Sequence, residues 1–234
     1  MTAIKISRWS GALALGLAAL AAWWLAPADT LPEGGSPDAA PARAERAPFD
    51  FYVLSLSWSP SFCARAGSGN ELQCGARADH GFIVHGLWPQ FEEGWPSYCA
   101  PIGEGPSRAA RQALLEVMPS PGLIAHQWEK HGSCSGLAAD HWVEAILAAR
   151  QGVVIPAALR DAERSREMTP RAIEDAFLAG NPGLSRDGMA VICAGRRLIE
   201  VRLCLTPGLD FRGCREVRAE TCRGNDPIAL PAAP

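Results

Sequence analysis

Lysine is almost missing from this chain. Among 234 residues it occurs only as Lys5 and Lys130, and arginine carries the rest of the positive charge. A compact, strongly hydrated ammonium differs chemically from a guanidinium fork, so an isolated Lys130 calls for a reason. A cationic excess is missing too. The formal charge is −3, and it becomes −5 once Lys5 and Arg8 leave with an N-terminal leader. Such a protein is not built to coat nucleic acid indiscriminately, so any polyanion it handles must meet a local cationic pocket. No CxxC pair occurs, and His131 with Cys134 is the one close His–Cys pair, too few ligands for a zinc site. There are no internal repeats. The one long apolar run, Gly11 to Ala26, falls short of the roughly 20 residues of a membrane span.

That run begins after Lys5 and Arg8 and ends at Ala26-Pro27-Ala28, the pattern of a cleaved secretory signal over residues 1–28. Trp23 and Trp24 leave an N-terminal interfacial anchor as the alternative. Residues 29–47, rich in Pro, Ala, Gly and charge without apolar periodicity, are expected to be a linker. Eight cysteines follow, at 63, 74, 99, 134, 193, 204, 214 and 222. An even number in an exported chain predicts four disulfides, and spacing alone leaves about 105 pairings open.

The folded domain is expected over 48–223, with 224–234 as a loose tail. Phe49 to Trp58 alternates apolar and polar residues and predicts a strand ending at Ser59-Pro60. Ala64 to Arg77 is expected to be a loop. Gly81 to Trp88 predicts a short strand breaking at Gly86 and Pro89, with His85 at its end. Phe91 to Pro106 is irregular. Helices are predicted over Ser107–Met118, Asp140–Arg150, Pro156–Arg166 and Arg171–Ala179, the last capped by Thr169-Pro170. Met189–Ala194 and Leu198–Leu205 predict a hairpin around Gly195-Arg196, and Glu216-Val217 a further short strand. The class is α+β: a central antiparallel sheet with packed helices and disulfide-stapled loops.

The segment AHQWEKHGSC, Ala125 to Cys134, gathers unusual chemistry. At about 100° per residue, His126, Gln127, Lys130 and His131 fall within an arc of roughly 140° on a helix, flanked by Trp128 and Glu129. Two histidines suit a reaction that takes a proton from one oxygen and gives one to another. An ammonium beside them suits charge building on a phosphoryl group. With His85, these residues point to metal-free phosphoester cleavage. RNA is the substrate this favours, because its own 2′-OH can attack; DNA offers none. Zinc-binding pairs on a helix sit four apart, as in HExxH, whereas His126 and His131 are five apart.

FIVHGLWPQ (Phe82 to Gln90) and HQWEKHGSC (His126 to Cys134) resemble the two active-site segments of the ribonuclease T2 family, HGLWP and HEWxKHG. Weaker resemblance runs from Phe49 to about Cys222. It implies the T2-type fold and a metal-independent endoribonuclease acting on single-stranded RNA, with no cofactor. It further implies His131 as general base, His85 as general acid, His126 on the phosphate, Lys130 on the pentacoordinate phosphorane and Trp88 on a base; Gln127 is expected to serve both catalysis and substrate binding, and Trp128 substrate binding. It pairs Cys63–Cys74, Cys99–Cys134, Cys193–Cys222 and Cys204–Cys214. Gln127 departs from the family's glutamate. An amide there opens the alternative of a secreted RNA- or partner-binding homologue with weak or no catalysis. The expected setting is a monomer in the periplasm or secreted, with no membrane partner beyond the N-terminal anchor.

Other residues read as structural. His80 and His141 recruit nothing nearby, and Trp58, Trp95 and Trp142 read as packing residues. Arg196, Arg197 and Arg202 read as a solvated hairpin face, and Glu92 and Glu93 as loop charges.

Overall fold

The alternating run from Phe49 forms strand β1 (Phe51–Trp58), flanked on both sides within a six-stranded sheet. The computed structural model describes residues 48–66, 70–76 and 78–233, so the expected signal (1–28) and linker (29–47) lie outside the described residues. On one side β1 pairs antiparallel with β2 (Phe82–Gln90), and on the other with β5 (Arg197–Leu205). β4 (Met189–Ala194) joins β5 through the turn at Gly195, where φ of +58° suits glycine.

The pleat divides the sheet's duties. Tyr52, Leu54, Leu56 and Trp58 join Leu87, Val84, Val201 and Leu203 in the main core. The opposite face carries Phe51 and Val53, packed on Cys204, Cys214 and Val217, followed by Ser55 and Ser57 opposite Arg202 and Glu200. One face is therefore greasy throughout, and the other turns polar halfway along.

Helices cover the greasy face. α3 (Arg108–Leu114) begins at Ser107 and α6 (Pro170–Gly180) at Thr169, each cap oxygen accepting a backbone N–H from three residues on. α5 (Ala139–Gln151) buries Trp142, Val143, Ile146 and Ala149, one stripe at helical spacing. α4 (Pro121–Lys130) starts one turn earlier than its polar arc suggested. Ser120 caps it and Pro121 occupies its first turn, a position that tolerates a missing N–H.

The sheet is antiparallel except for one bridge, and with its packed helices it gives the expected α+β class. The disulfides join Cys63 to Cys74, Cys99 to Cys134, Cys193 to Cys222 and Cys204 to Cys214. Cys99–Cys134 closes 35 residues, worth about 4 kcal/mol in the chain-entropy account. Among the described residues, no helix is long and apolar enough to cross a membrane.

Several local expectations need correction. The expected loop of Ala64 to Arg77 is partly helical: it takes in the end of α1 (Ser59–Ala66) and all of α2 (Glu71–Cys74). Strand β2 does not break at Gly86 or Pro89, because Pro89 and Gly86 lie within its pairing with β1. Pro156–Arg166 is a 3-10 turn leading to β3 (Arg166–Met168), and Glu216-Val217 lies in helix α7 (Arg215–Ala219). The tail of 224–234 is not loose. It contributes β6 (Ile228–Leu230), antiparallel to β3, with Leu230 fully buried and the Trp58 indole donating to the Pro231 carbonyl at 3.0 Å. Three residues are too few for periodicity to reveal a strand.

Leu230→Ala should therefore cost about 2–5 kcal/mol in chemical denaturation, the range for a buried leucine. A loss below about 0.5 kcal/mol, the scale of an exposed position, would restore the loose-tail reading.

Candidate active site

A count along β2 gives the site its first member. Leu87 and Val84 are both fully buried in the main core, yet they are three residues apart, which a period of two forbids. The register accounts for this: Ser55 faces Gly86 while the next residue, Leu56, faces Val84. His85 is the extra residue of a β-bulge. It leaves the core side and points its ring toward Glu200 on the polar face. It thus sits at mid-strand, not at the strand's end.

Helix α4 supplies the second group. Gln127 is buried near the end of the helix, and His131 follows Lys130 as its C-terminal cap. The Trp88 indole donates to Gln127 Oε1 at 2.7 Å. An indole can only donate, so the amide must present its oxygen there, leaving Nε2 free for another acceptor. A Cβ on Gly86 would lie 2.1 Å from both Gln127 Oε1 and Trp88 Nε1, so this contact demands glycine. Gly132 is held to the same standard, because a Cβ there would come within 2.6 Å of Trp128 and 2.7 Å of Trp142.

Both imidazoles rest against one indole. The Trp88 ring meets His85 edge-on at 5.2 Å and stacks on His131 at 5.3 Å, between ring centres. His85, Trp88, His126, Gln127, Lys130 and His131 line one cavity of about 320 Å³, together with Trp95, Arg202 and Glu220. A second cavity, of about 440 Å³, lies on the other side of the His85–Glu200 pair, lined by Phe62, Ile83 and Leu123 among others.

One expected substrate contact lies elsewhere. Trp128 does not reach the cavity; it is 6% exposed and packs against Trp142 in the core, ring centres 5.5 Å apart. Trp88 borders the cavity but is committed to Gln127, His131 and the Arg202 guanidinium, 5.2 Å from its ring. The aromatic with free surface is Trp95, 56% exposed on the cavity wall, which the sequence suggested as a packing residue. His80 and His141 stay outside the cavity.

Glu200 has no role in the sequence reading, and Arg202 has only that of a surface charge. Glu200 accepts from His85 Nδ1 at 2.5 Å and from Arg202 Nε at 3.1 Å, and Arg202 also pairs with Glu220 at 2.5 Å. Arg202 is thus no solvated hairpin charge. The alternation in LIEVRLCL carried the signal: Glu200 and Arg202, two apart, share the face opposite Val201 and Leu203.

Proton affinities follow from this crowding. Burial, then the charges of Lys130, His126 and His85, push His131 down to about 3 from an ordinary 6.5. Its Nδ1 is buried without a partner. Burial pushes the Glu200 carboxyl up, but the hydrogen bond and charge of His85, with Arg202, outweigh it and hold the group at about 2. Both shifts disfavour the fold in acid. The unfolded chain binds the His131 proton from about 6.5 and the Glu200 proton from about 4.5, whereas the folded chain refuses them until about 3 and 2. Among the described residues, no cluster of three or more His, Cys, Asp or Glu could hold a metal ion.

The model of the Ribonuclease T2 family matches residues 49–214. A ribonuclease of Aeromonas hydrophila is 35% identical over 181 residues, covering 75% of this chain and 80% of the relative. Ribonuclease I of Escherichia coli is 30% identical over 145 residues, covering 45% of this chain and 54% of its own length. Among solved structures, RNase NT in complex with 5′-AMP matches with a TM-score of 0.57 at 24% identity, over 80% of this chain and 98% of that one. Trichomaglin, an S-like ribonuclease, matches with a TM-score of 0.58 at 19% identity, over 80% and 99%. At these identities the solved structures speak to the fold.

In an NMR titration His131 should stay neutral down to a pH of about 3. Removing a neighbouring cation favours the imidazolium, so Lys130→Met should move that protonation to higher pH. Protonation of native His131 near its ordinary 6.5 would contradict the assignment.

Proposed function

The chain belongs to the ribonuclease T2 family and is an endoribonuclease, and we propose that it is an exported one that cleaves single-stranded RNA by transesterification without a metal. The observation that carries this reading is the packing of two imidazoles from different elements, His85 on β2 and His131 after α4, against one indole in one cavity. His131, neutral through the acid range, takes the proton of the 2′-OH. The 2′-oxygen attacks phosphorus in line. His85 gives a proton to the departing 5′-oxygen as the P–O5′ bond breaks. The products are a 2′,3′-cyclic phosphate and a 5′-hydroxyl end; slower attack by water opens the ring to a 3′-phosphate.

Lys130 faces the same cavity and stabilises the charge of the pentacoordinate phosphorane. His126, exposed at its rim, binds the phosphate. Gln127 offers Nε2 as a neutral donor to a phosphoryl oxygen, since its Oε1 is taken by Trp88. Trp95 offers a nucleobase a free aromatic face. Export is supported by the leader-like residues 1–28, which fit a periplasmic or secreted protein, and by four disulfides, which persist where thiols are oxidised.

RNA digestion with EDTA present tests the reading. Cleavage should persist, and His85→Phe and His131→Ala should each lower it by about 10²–10⁴-fold, the usual worth of general acid or base. RNA binding without cleavage in the native protein would favour a binding homologue instead.

Gln127→Glu provides a second test. A carboxylate beside His131 favours its imidazolium, so the acid limb of the pH–rate profile should move to higher pH than in the native protein. Superimposable profiles would remove Gln127 from the electrostatics of the site.

A further inference from the structure

The bulge that frees His85 from the core also leaves it without a cross-strand partner on β1. Something else must fix its ring. Glu200 lies across β1 on β5, opposite Ser57, and is 5% exposed. Its Oε1 meets His85 Nδ1 at 2.5 Å and accepts from Ser57 Oγ at 3.3 Å. Its Oε2 accepts from Arg202 Nε at 3.1 Å, and Arg202 is itself tied to Glu220. Every hydrogen bond to this carboxylate comes from a strand: His85 on β2, Ser57 on β1 and Arg202 on β5. A rigid element therefore aims the side chain that the irregular one has released.

We propose that Glu200 is a positioning residue for the reaction: it holds the His85 proton at Nδ1 and so presents Nε2, and only Nε2, to the leaving oxygen. This rests on the reading of His85 as the general acid. A carboxylate held ionised is acceptor-only, so the nitrogen facing it must carry hydrogen in either charge state of the ring. In the first step the Nε2 proton moves to O5′, which keeps the electron pair of the breaking P–O5′ bond. The ring is left neutral with Nδ1–H still on Glu200. In the second step Nε2 takes a proton from water as the water oxygen bonds to phosphorus. The P–O2′ bond breaks and His131 returns its proton to O2′. The ring begins and ends each turnover as the imidazolium and passes through a single neutral tautomer, with hydrogen on Nδ1, so no flip is needed.

Charge selects the same partner. The other charged or titratable groups around this cavity are Arg202 on β5, Glu220 after α7, and His126, Lys130 and His131 at the end of α4, while Arg65 on α1 borders the neighbouring cavity that His85 and Glu200 also line. Glu220 is bound to Arg202, so among the described residues Glu200 is the carboxylate in contact with His85. Where Gln127 contributes no charge, Glu200 contributes the balancing one.

The test compares two substrates. A dinucleoside phosphate leaves as an alkoxide that needs a proton, whereas a nucleoside 3′-(4-nitrophenyl phosphate) leaves as a phenolate that does not. Glu200→Gln should lower kcat/KM on the dinucleoside phosphate by about 10- to 100-fold, the scale known for removing a carboxylate that orients a metal-bound histidine. It should also draw the alkaline limb of the pH profile to lower pH, and change the activated substrate by less than about 3-fold, since that substrate bypasses the acid. Equal losses on both substrates, or none, would overturn the proposal. His85→Ala, run beside it, separates the two ideas: equal losses in that variant would defeat the reading of His85 as acid, whatever Glu200 does. The native protein supplies a readout that does not depend on a variant folding. The imidazole nitrogen shifts of neutral His85 should report hydrogen on Nδ1, and hydrogen on Nε2 would overturn the assignment.

Discussion

Strand β2 and helix α4 meet at a point where no side chain fits. Gly86 leaves open the space that a Cβ would fill, and through it the Trp88 indole reaches Gln127 at 2.7 Å. That one contact sets the spacing of the two elements bearing the proposed acid and base. The same indole then spaces the two imidazoles, one at its edge and one on its face. A second close approach, Gly132 against Trp128 and Trp142, seats the far end of α4 in the core. Cys99–Cys134 and the Tyr98 N–H on the Lys130 carbonyl, at 2.9 Å, hold the loop after β2 to that end. The site is rigid because both of its halves are fastened by glycines and bulky rings rather than by loops.

Electrostatically the site concentrates what the rest of the chain dilutes. The protein is net negative, yet Lys130 and Arg202 meet three histidines, His85, His126 and His131, at one cavity. Crowding and burial keep His131 neutral in acid, the state a base requires. Glu200, anchored on β5, keeps its charge through burial because His85 and Arg202 grip it. Two titratable groups are thus pushed the same way for different reasons: His131 by burial and then by neighbouring charge, Glu200 against its burial by the hydrogen bond and charge of His85 and by Arg202.

The sequence disclosed whatever rests on long periodicity or on a local cap. β1, the β4–β5 hairpin, α5 and α6 follow their alternation or their Thr and Pro signals. The polar arc of α4 was equally legible, because residues one helical turn apart must share a face. What escaped was non-local or too short. β6 is three residues long and exists because β3 and β5 accept it. The bulge at His85 is a property of pairing with β1, which no single strand reveals. Glu200 lies 115 positions from His85, and only the sheet brings them together. Trp128 misled because a tryptophan beside a polar arc sits on its boundary, and the boundary fell on the core side.

The bulge also says what kind of change this chain can least absorb. Substituting a residue of β2 alters one side chain. Removing one between Phe82 and His85 would restore strict alternation, turning the imidazole toward the buried layer or withdrawing Val84 from it. The aim of His85 is stored as a count rather than as a residue type. Losing one residue from this strand should then cost the site more than most single substitutions along it.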